Sequence, residues 1–102
     1  MTRIALIHAT PAAVDPIREA FAEAWPEPDL VNLLDDSLSR DRARTPELTD
    51  GMFRRFEALG SYAVSLAADA ILFTCSAFGP CIETARRTVA VVVSLVLIAG
   101  LR

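Results

Sequence analysis

Short apolar runs recur along this chain with amphipathic, helix-period stretches between them, and that alternation narrows the possible fold more than any other feature. The runs are residues 3–8 (RIALIH), Leu30 to Leu34, Ala70 to Phe73 and Val89 to Val93. Each is short and almost uniformly apolar, which suits a strand buried on both faces of a parallel sheet. Between the first two, Ile17, Ala20, Phe21 and Ala24 recur by threes and fours, with Asp15-Pro16 as N-cap and first-turn proline, and Pro26 and Pro28 closing the helix. A longer helix is expected from about Glu47 to Ala67, with Leu48, Met52, Phe56, Leu59, Ala63 and Leu66 on one stripe. Gly51 and Gly60 weaken it by ~1 kcal/mol each relative to alanine. Residues 37–46 are polar and arginine-rich and read as an exposed loop or short helical turn. Pro80 to Arg87 is the last helix, with Glu83 early and Arg86 and Arg87 at its end, the order its dipole prefers. The order βαβαβαβ predicts an α/β fold: a four-stranded parallel sheet with right-handed crossovers and helices on both faces.

With 102 residues and 53% hydrophobic content, the chain can build the core of one domain over 1–102. A net charge of −3 argues against nucleic acid as a partner. All ten basic residues are arginines, so no lysine can form a Schiff base. His8-Ala9-Thr10-Pro11 after the first strand lacks the glycine fingerprint of dinucleotide sites, and no phosphate-cradling loop follows any strand. No cofactor and no metal are expected. Cys75 and Cys81 do not make a disulfide framework, and a reducing cytoplasm is the simpler setting. The start of the chain lacks the long apolar region and cleavage site of a signal peptide. Residues 88–101 (TVAVVVSLVLIAGL) carry no charge but fall short of the ~20 residues a membrane-spanning helix needs, so a fourth strand with an apolar end is expected and membrane contact is the weaker reading.

In a parallel sheet every strand ends at the same rim. Three strand ends bring His8 to Thr10, Asp35 to Ser37, and Thr74 to Ser76 toward one neighbourhood, where open α/β sheets place their ligands. Cys75 stands where a strand turns into a helix. Amides and a helix dipole there would favour the thiolate; the alternative is a small buried apolar residue. Thr74 and Ser76 could bind a substrate carboxylate or could satisfy the turn locally. His8 could orient a substrate, act as acid or base, or be a packed bystander. Asp35 and Asp36 read as loop caps, Cys81 as core, and Arg54-Arg55 and Arg86-Arg87 as solvated helix faces.

The run Ile71-Leu72-Phe73-Thr74-Cys75-Ser76-Ala77-Phe78-Gly79-Pro80, with Ile7-His8-Ala9-Thr10-Pro11, resembles the aspartate/glutamate racemase superfamily over roughly residues 1–87. That group includes cofactor-independent amino-acid and hydantoin racemases, maleate isomerases and arylmalonate decarboxylases. The resemblance implies one half of a two-domain architecture, with a cleft between domains and a cysteine from each. One thiolate removes the α-proton of a small carboxylate substrate, and the opposite thiol returns one. Cys75 matches the first-domain cysteine, Thr74 and Ser76 match positions near the substrate carboxylate, and His8 and Thr10 lie on the loop that lines the cleft.

The chain carries no second cysteine signature, and after Arg87 it departs from the pattern, as a truncated or frame-altered reading frame would. The expected function is therefore a racemase or isomerase half-domain, weak or inactive alone, unless two copies form a homodimer and face each other. Two other readings stand beside it: a non-catalytic α/β module that binds carboxylates or docks a partner, and thiolate addition chemistry of the maleate-isomerase kind, also starting from Cys75.

Overall fold

The computed structural model of the chain describes residues 1–88 and the backbone of 94–96. Strands β1 (Arg3–His8), β2 (Asp29–Leu34) and β3 (Ala70–Phe73) form a three-stranded parallel sheet in the order β2-β1-β3. β1 pairs with β2 from Arg3↔Asp29 to His8↔Leu34, and with β3 from Ile4↔Ala70 to Ile7↔Phe73. The central strand is thus flanked on both edges, and Ile4 through His8 are all buried. Ser94–Val96 runs parallel to β3 on its other side. The strand expected at Val89 to Val93 lies outside the described residues, as does most of the apolar tail.

Four helices fill the connections: α1 (Val14–Ala24), α2 (Ser37–Arg44), α3 (Asp50–Ser65) and α4 (Gly79–Thr88). They divide unequally between the faces. Ala5, Ile7, Ile71 and Phe73 pack with Leu38, Phe56, Ala63, Phe78, Ile82 and Ala85 from the α2–α4 side. Phe56 anchors that layer, its ring centroid 6.0 Å from Phe73 and 4.9 Å from Phe78. On the other face, among the described residues, Ile4, Leu6 and Leu72 pack against Ile17 and Phe21 of α1. Right-handed crossovers explain the split: the chain moves one way across the sheet from β1 to β2 and the other way from β2 to β3, so the connecting helices fall on opposite faces. Beside α1 an apolar groove of about 340 Å³ remains, walled by Ile4, Phe21, Trp25, Ala70 and Leu72, with Trp25 47% exposed.

Three boundaries differ from expectation, each for a local reason. α1 begins at Val14 rather than after Asp15, because a 3-10 turn at Pro11–Ala13, capped by the Thr10 hydroxyl accepting from the Ala12 amide, feeds straight into it. Pro16 is tolerated because first-turn amides have no intrahelical partner. α3 starts at Asp50, where Thr49 caps the Met52 amide at 3.2 Å. The polar stretch after β2, expected as an exposed loop or a short helical turn, takes the helical form and is longer than one turn. It forms α2, whose one buried apolar side chain, Leu38, is fully enclosed.

At the end of α3, Ala67 has φ 61°, and the Ala68 amide reaches back to the Ala63 carbonyl at 3.2 Å. This left-handed C-terminal cap normally takes glycine. An L-residue there costs ~1–2 kcal/mol, partly offset by glycine's greater unfolded-chain entropy. Ala67→Gly is therefore expected to stabilise the protein by about 0.5–1 kcal/mol in urea denaturation. Leu38→Ala should cost about 2–5 kcal/mol by the same measurement, whereas truncating the exposed Leu34 should change stability by no more than ~0.5 kcal/mol.

Candidate functional site

The carboxyl ends of β1 and β3 meet at one backbone oxygen. The Ile7 carbonyl accepts from the Thr74 amide at 3.1 Å, and lies 3.3 Å from the Thr74 hydroxyl and 3.5 Å from the Cys75 sulfur. A carbonyl has two lone pairs, so three donors compete for it. The hydroxyl has a nearer acceptor: Thr74 Oγ1 is 2.8 Å from Nδ1 of His8. On the far side of the ring, Nε2 is 2.8 Å from Asn32 Oδ1 on β2. With the Asn32 oxygen facing it, Nε2 carries the ring proton and Nδ1 accepts from Thr74. The thiol is left to donate to Ile7.

The expected site residues divide. His8 is fully buried and Thr74 is 8% exposed, so both lie inside the strand ends rather than on an open rim. They bond each other, as side chains on neighbouring strands can. Cys75 is 7% exposed and packs into the α2–α4 core with Phe73, Phe78 and Cys81. Ser76 is exposed, and Thr10 is half-buried with its hydroxyl engaged as a cap. Cys81 sits fully buried in the first turn of α4, as expected of a core residue.

In the chain by itself Cys75 is held as a thiol. Burial pushes it up from 9.0 to about 11, against the opposing pull of the Thr74 and Ala9 amides and the Thr74 hydroxyl. At neutral pH roughly one sulfur in ten thousand would be ionised. The helix start expected to favour the thiolate lies a turn away. A 3-10 turn, Ser76–Phe78, separates Cys75 from α4, which begins at Gly79. The dipole field fades within the first helical turn. Burial also pulls the His8 imidazole below its ordinary 6.5, and the bond to Asn32 opposes this only in part.

Beyond the β2 end, residues read as solvated form a tie across the rim. Arg55 of α3 reaches Asp35 at 3.0 Å and Asp41 of α2 at 3.0 Å, and donates to the Ser37 hydroxyl. Burial by itself would raise Asp35, but the hydrogen bonds from Ser37 and Arg55 outweigh it and hold the carboxyl below its usual range. Arg42 approaches the Ala77 carbonyl at 3.4 Å, fixing the turn after Cys75. Arg54, Arg86 and Arg87 are exposed, as expected. Asn32 was legible as the single polar residue inside the second apolar run. Arg55 was not, because its partners lie on other elements. Among the described residues no three His, Cys, Asp or Glu side chains converge as a metal site requires, and no helix is long and apolar enough to cross a membrane.

Comparison with models of known protein families finds no match for this chain, and comparison with curated proteins finds none either.

His8 is the chain's only histidine, which makes its linkage to folding measurable. Its folded-state value lies below 6.5, so the unfolded chain binds the proton more readily. Stability contributed by the neutral ring is complete above about pH 6.5, falls as pH drops through the window below it, and stops falling beneath the folded-state value. Urea midpoints taken from about pH 7.5 to about pH 5 should decline in the parent, and this decline should be absent in His8→Asn.

Proposed function

We propose that this chain is one half of a cofactor-independent racemase or isomerase of the aspartate/glutamate racemase kind, with Cys75 as the residue that exchanges a proton with the α-carbon of a small carboxylate or hydantoin substrate. The observation that carries the reading is the setting of the sulfur. It stands at the tip of β3 beside the tip of β1, with its thiol 3.5 Å from the Ile7 carbonyl and the exposed Ser76 next to it.

The resting protonation sets the direction of first use. A thiol near 11 is a proton donor, so Cys75 delivers a proton to one face of the α-carbon and removes it in the reverse reaction. The base for the opposite face has to come from outside these residues: Cys81 belongs to the same strand–helix unit and lies in the same core. A second domain, or a second copy in a homodimer, would supply it, and the sheet in this reading extends to four strands through the terminal apolar segment. Thr74 and Ser76, with His8 and Thr10 nearby, belong to the substrate end of the site. Of these, Ser76 is open to solvent.

One observation favours the partner-docking form of the non-catalytic reading, a module that either binds carboxylates or docks a partner. The sulfur is nearly sealed, while the groove beside α1 is open and apolar.

Incubating the chain with amino acids and hydantoins in deuterated water separates the two. Slow exchange of the α-proton that falls at least ~100-fold in Cys75→Ser is the expected result. Exchange unchanged by that substitution removes Cys75 from the chemistry. Substrate-induced shifts in the protein spectrum without any exchange favour the binding module.

A further inference from the structure

β2 is an outer strand of the sheet, and its free edge is unguarded. The Asp29 amide donates to the Thr2 carbonyl at 2.8 Å and the Asp35 amide to the His8 carbonyl at 3.2 Å, with unbroken register between them. Backbone hydrogen-bond directions alternate residue by residue along a strand, so the amides and carbonyls of Leu30, Asn32 and Leu34 point away from β1. Among the described residues none of them has a backbone hydrogen bond to a further element. Sheets ordinarily guard such an edge with a bulge, a proline or a basic side chain. β2, DLVNLL, has none of these. It leaves Asn32 exposed and Leu34 43% exposed instead. α1 adds a second uncovered surface on this side. At about 100° per residue, Ile17 faces the sheet and Phe21 and Trp25 turn toward the groove wall at Ala70 and Leu72. Ala20 and Ala24 lie on the opposite side of Ile17, toward β2, and both are exposed although the helical stripe predicts them buried.

We propose that the β2 edge pairs with the β2 edge of a second copy of this chain, antiparallel about a two-fold axis at Asn32, so that two sheets become one. The strand's own sequence selects a second copy. Leu30-Val31-Asn32-Leu33-Leu34 matches its reverse in residue type. The axis sets Asn32 opposite Asn32, Leu30 opposite Leu34 and Val31 opposite Leu33 of the other copy, the self-complementarity that a two-fold contact requires. Positions 30, 32 and 34 then form the hydrogen-bonded pairs of an antiparallel ladder, and every outward amide and carbonyl finds a partner. Asp29 comes opposite Asp35, but each carboxylate already holds an arginine, Arg3 at 2.8 Å and Arg55 at 3.0 Å. The axis is perpendicular to the sheet, so α1 of both copies stays on one face, and the small side chains of Ala20 and Ala24 allow the two helices to approach. Strands run antiparallel across the axis, so the two carboxyl rims point in opposite directions. This pairing does not bring two Cys75 sulfurs together, and it leaves any base for the opposite face of a substrate to another domain.

The pairing does not depend on the racemase reading, and it is tested without turnover. Sedimentation of the full chain from low micromolar to millimolar concentration should show a reversible monomer–dimer equilibrium. Leu34→Lys places a guard charge on the edge, and Asn32→Pro removes the amide at the axis without touching a bond to β1. Each should weaken dimerisation at least ~10-fold. Leu34 is exposed in the monomer, so the lysine variant keeps the fold, which its circular dichroism spectrum checks. Asn32→Cys tests the register. Its two α-carbons would lie ~5.5 Å apart across the axis, within disulfide reach, so mild oxidation should link two chains. Arg54→Cys, exposed on α3, should not link. Hydrogen exchange at the amides of Leu30, Asn32 and Leu34 should slow as concentration rises. A monomer at every concentration overturns the proposal, and so does association that survives both edge variants, the mark of another surface. Protection of those amides in the monomer also overturns it, because a segment of the same chain then holds the edge. Failure of α-proton exchange would count against the racemase reading and leave these results standing.

Discussion

The Ile7 carbonyl is the point on which the strand tips depend. β1 is flanked on both edges by paired strands, and Ile4 through His8 are buried, so the groups at its carboxyl end find their hydrogen-bond partners within the protein. Buried polar groups must then be satisfied by one another, at a cost of ~1–3 kcal/mol for each one left unpaired. The last β1–β3 backbone bond, Thr74 amide to Ile7 carbonyl, brings the side chains of Thr74 and Cys75 to the same oxygen. That bond extends the pairing one residue past Phe73 and sets where the thiol can point. His8 and Asn32 settle the competition by drawing the hydroxyl away. The same register therefore closes the sheet and arranges the protons.

The first three strands could be read from the chain because their signal is local; their order in the sheet could not. RIALIH, the run from Leu30 and the run from Ala70 are apolar in sequence, and their spacing with intervening helical stripes leaves few topologies. The β2 strand and β3 fall within one residue of where those runs place them. For α2 the sequence leaves a loop and a short helical turn both open, because two turns of helix there bury one side chain, Leu38, and a single apolar residue has no period. The site was legible only as a set of residues near one rim. What each does there depends on neighbours far along the chain. Phe56 and Phe78 desolvate the region of Cys75, and His8 meets Thr74 across 66 residues. Arg55 looked solvated because nothing beside it in sequence announces Asp35 and Asp41.

The two faces of the sheet are covered to different extents, and topology accounts for this. Helices connecting β2 to β3 and following β3 fall on one face, and among the described residues α1 alone covers the other. A helix is about 10 Å across and strands lie about 4.8 Å apart, so one helix spans roughly two strands. α1 packs on Ile4, Leu6 and Leu30, and the β3 side chains Ala70 and Leu72 form one wall of the groove that results. The groove is thus a consequence of strand order, and its apolar walls continue the core cluster of that face.

A thiol with a high pKa is scarce as a thiolate but strong as a base once formed. Two units above 9.0 means about a hundredfold fewer ionised sulfurs than an ordinary cysteine has at the same pH. Basicity recovers only part of that loss, since reactivity rises with pKa by less than one power of ten per unit. Burial alone is therefore a net hindrance to catalysis by Cys75. The amides of Thr74 and Ala9 already favour the charge, so backbone geometry is not what stands in the way. Desolvation is the opposing influence, and it can be offset by one additional hydrogen bond or one nearby positive charge. Within the strand tips the Thr74 hydroxyl is engaged with His8, so in this reading the offset comes from the second domain, the second copy or the substrate.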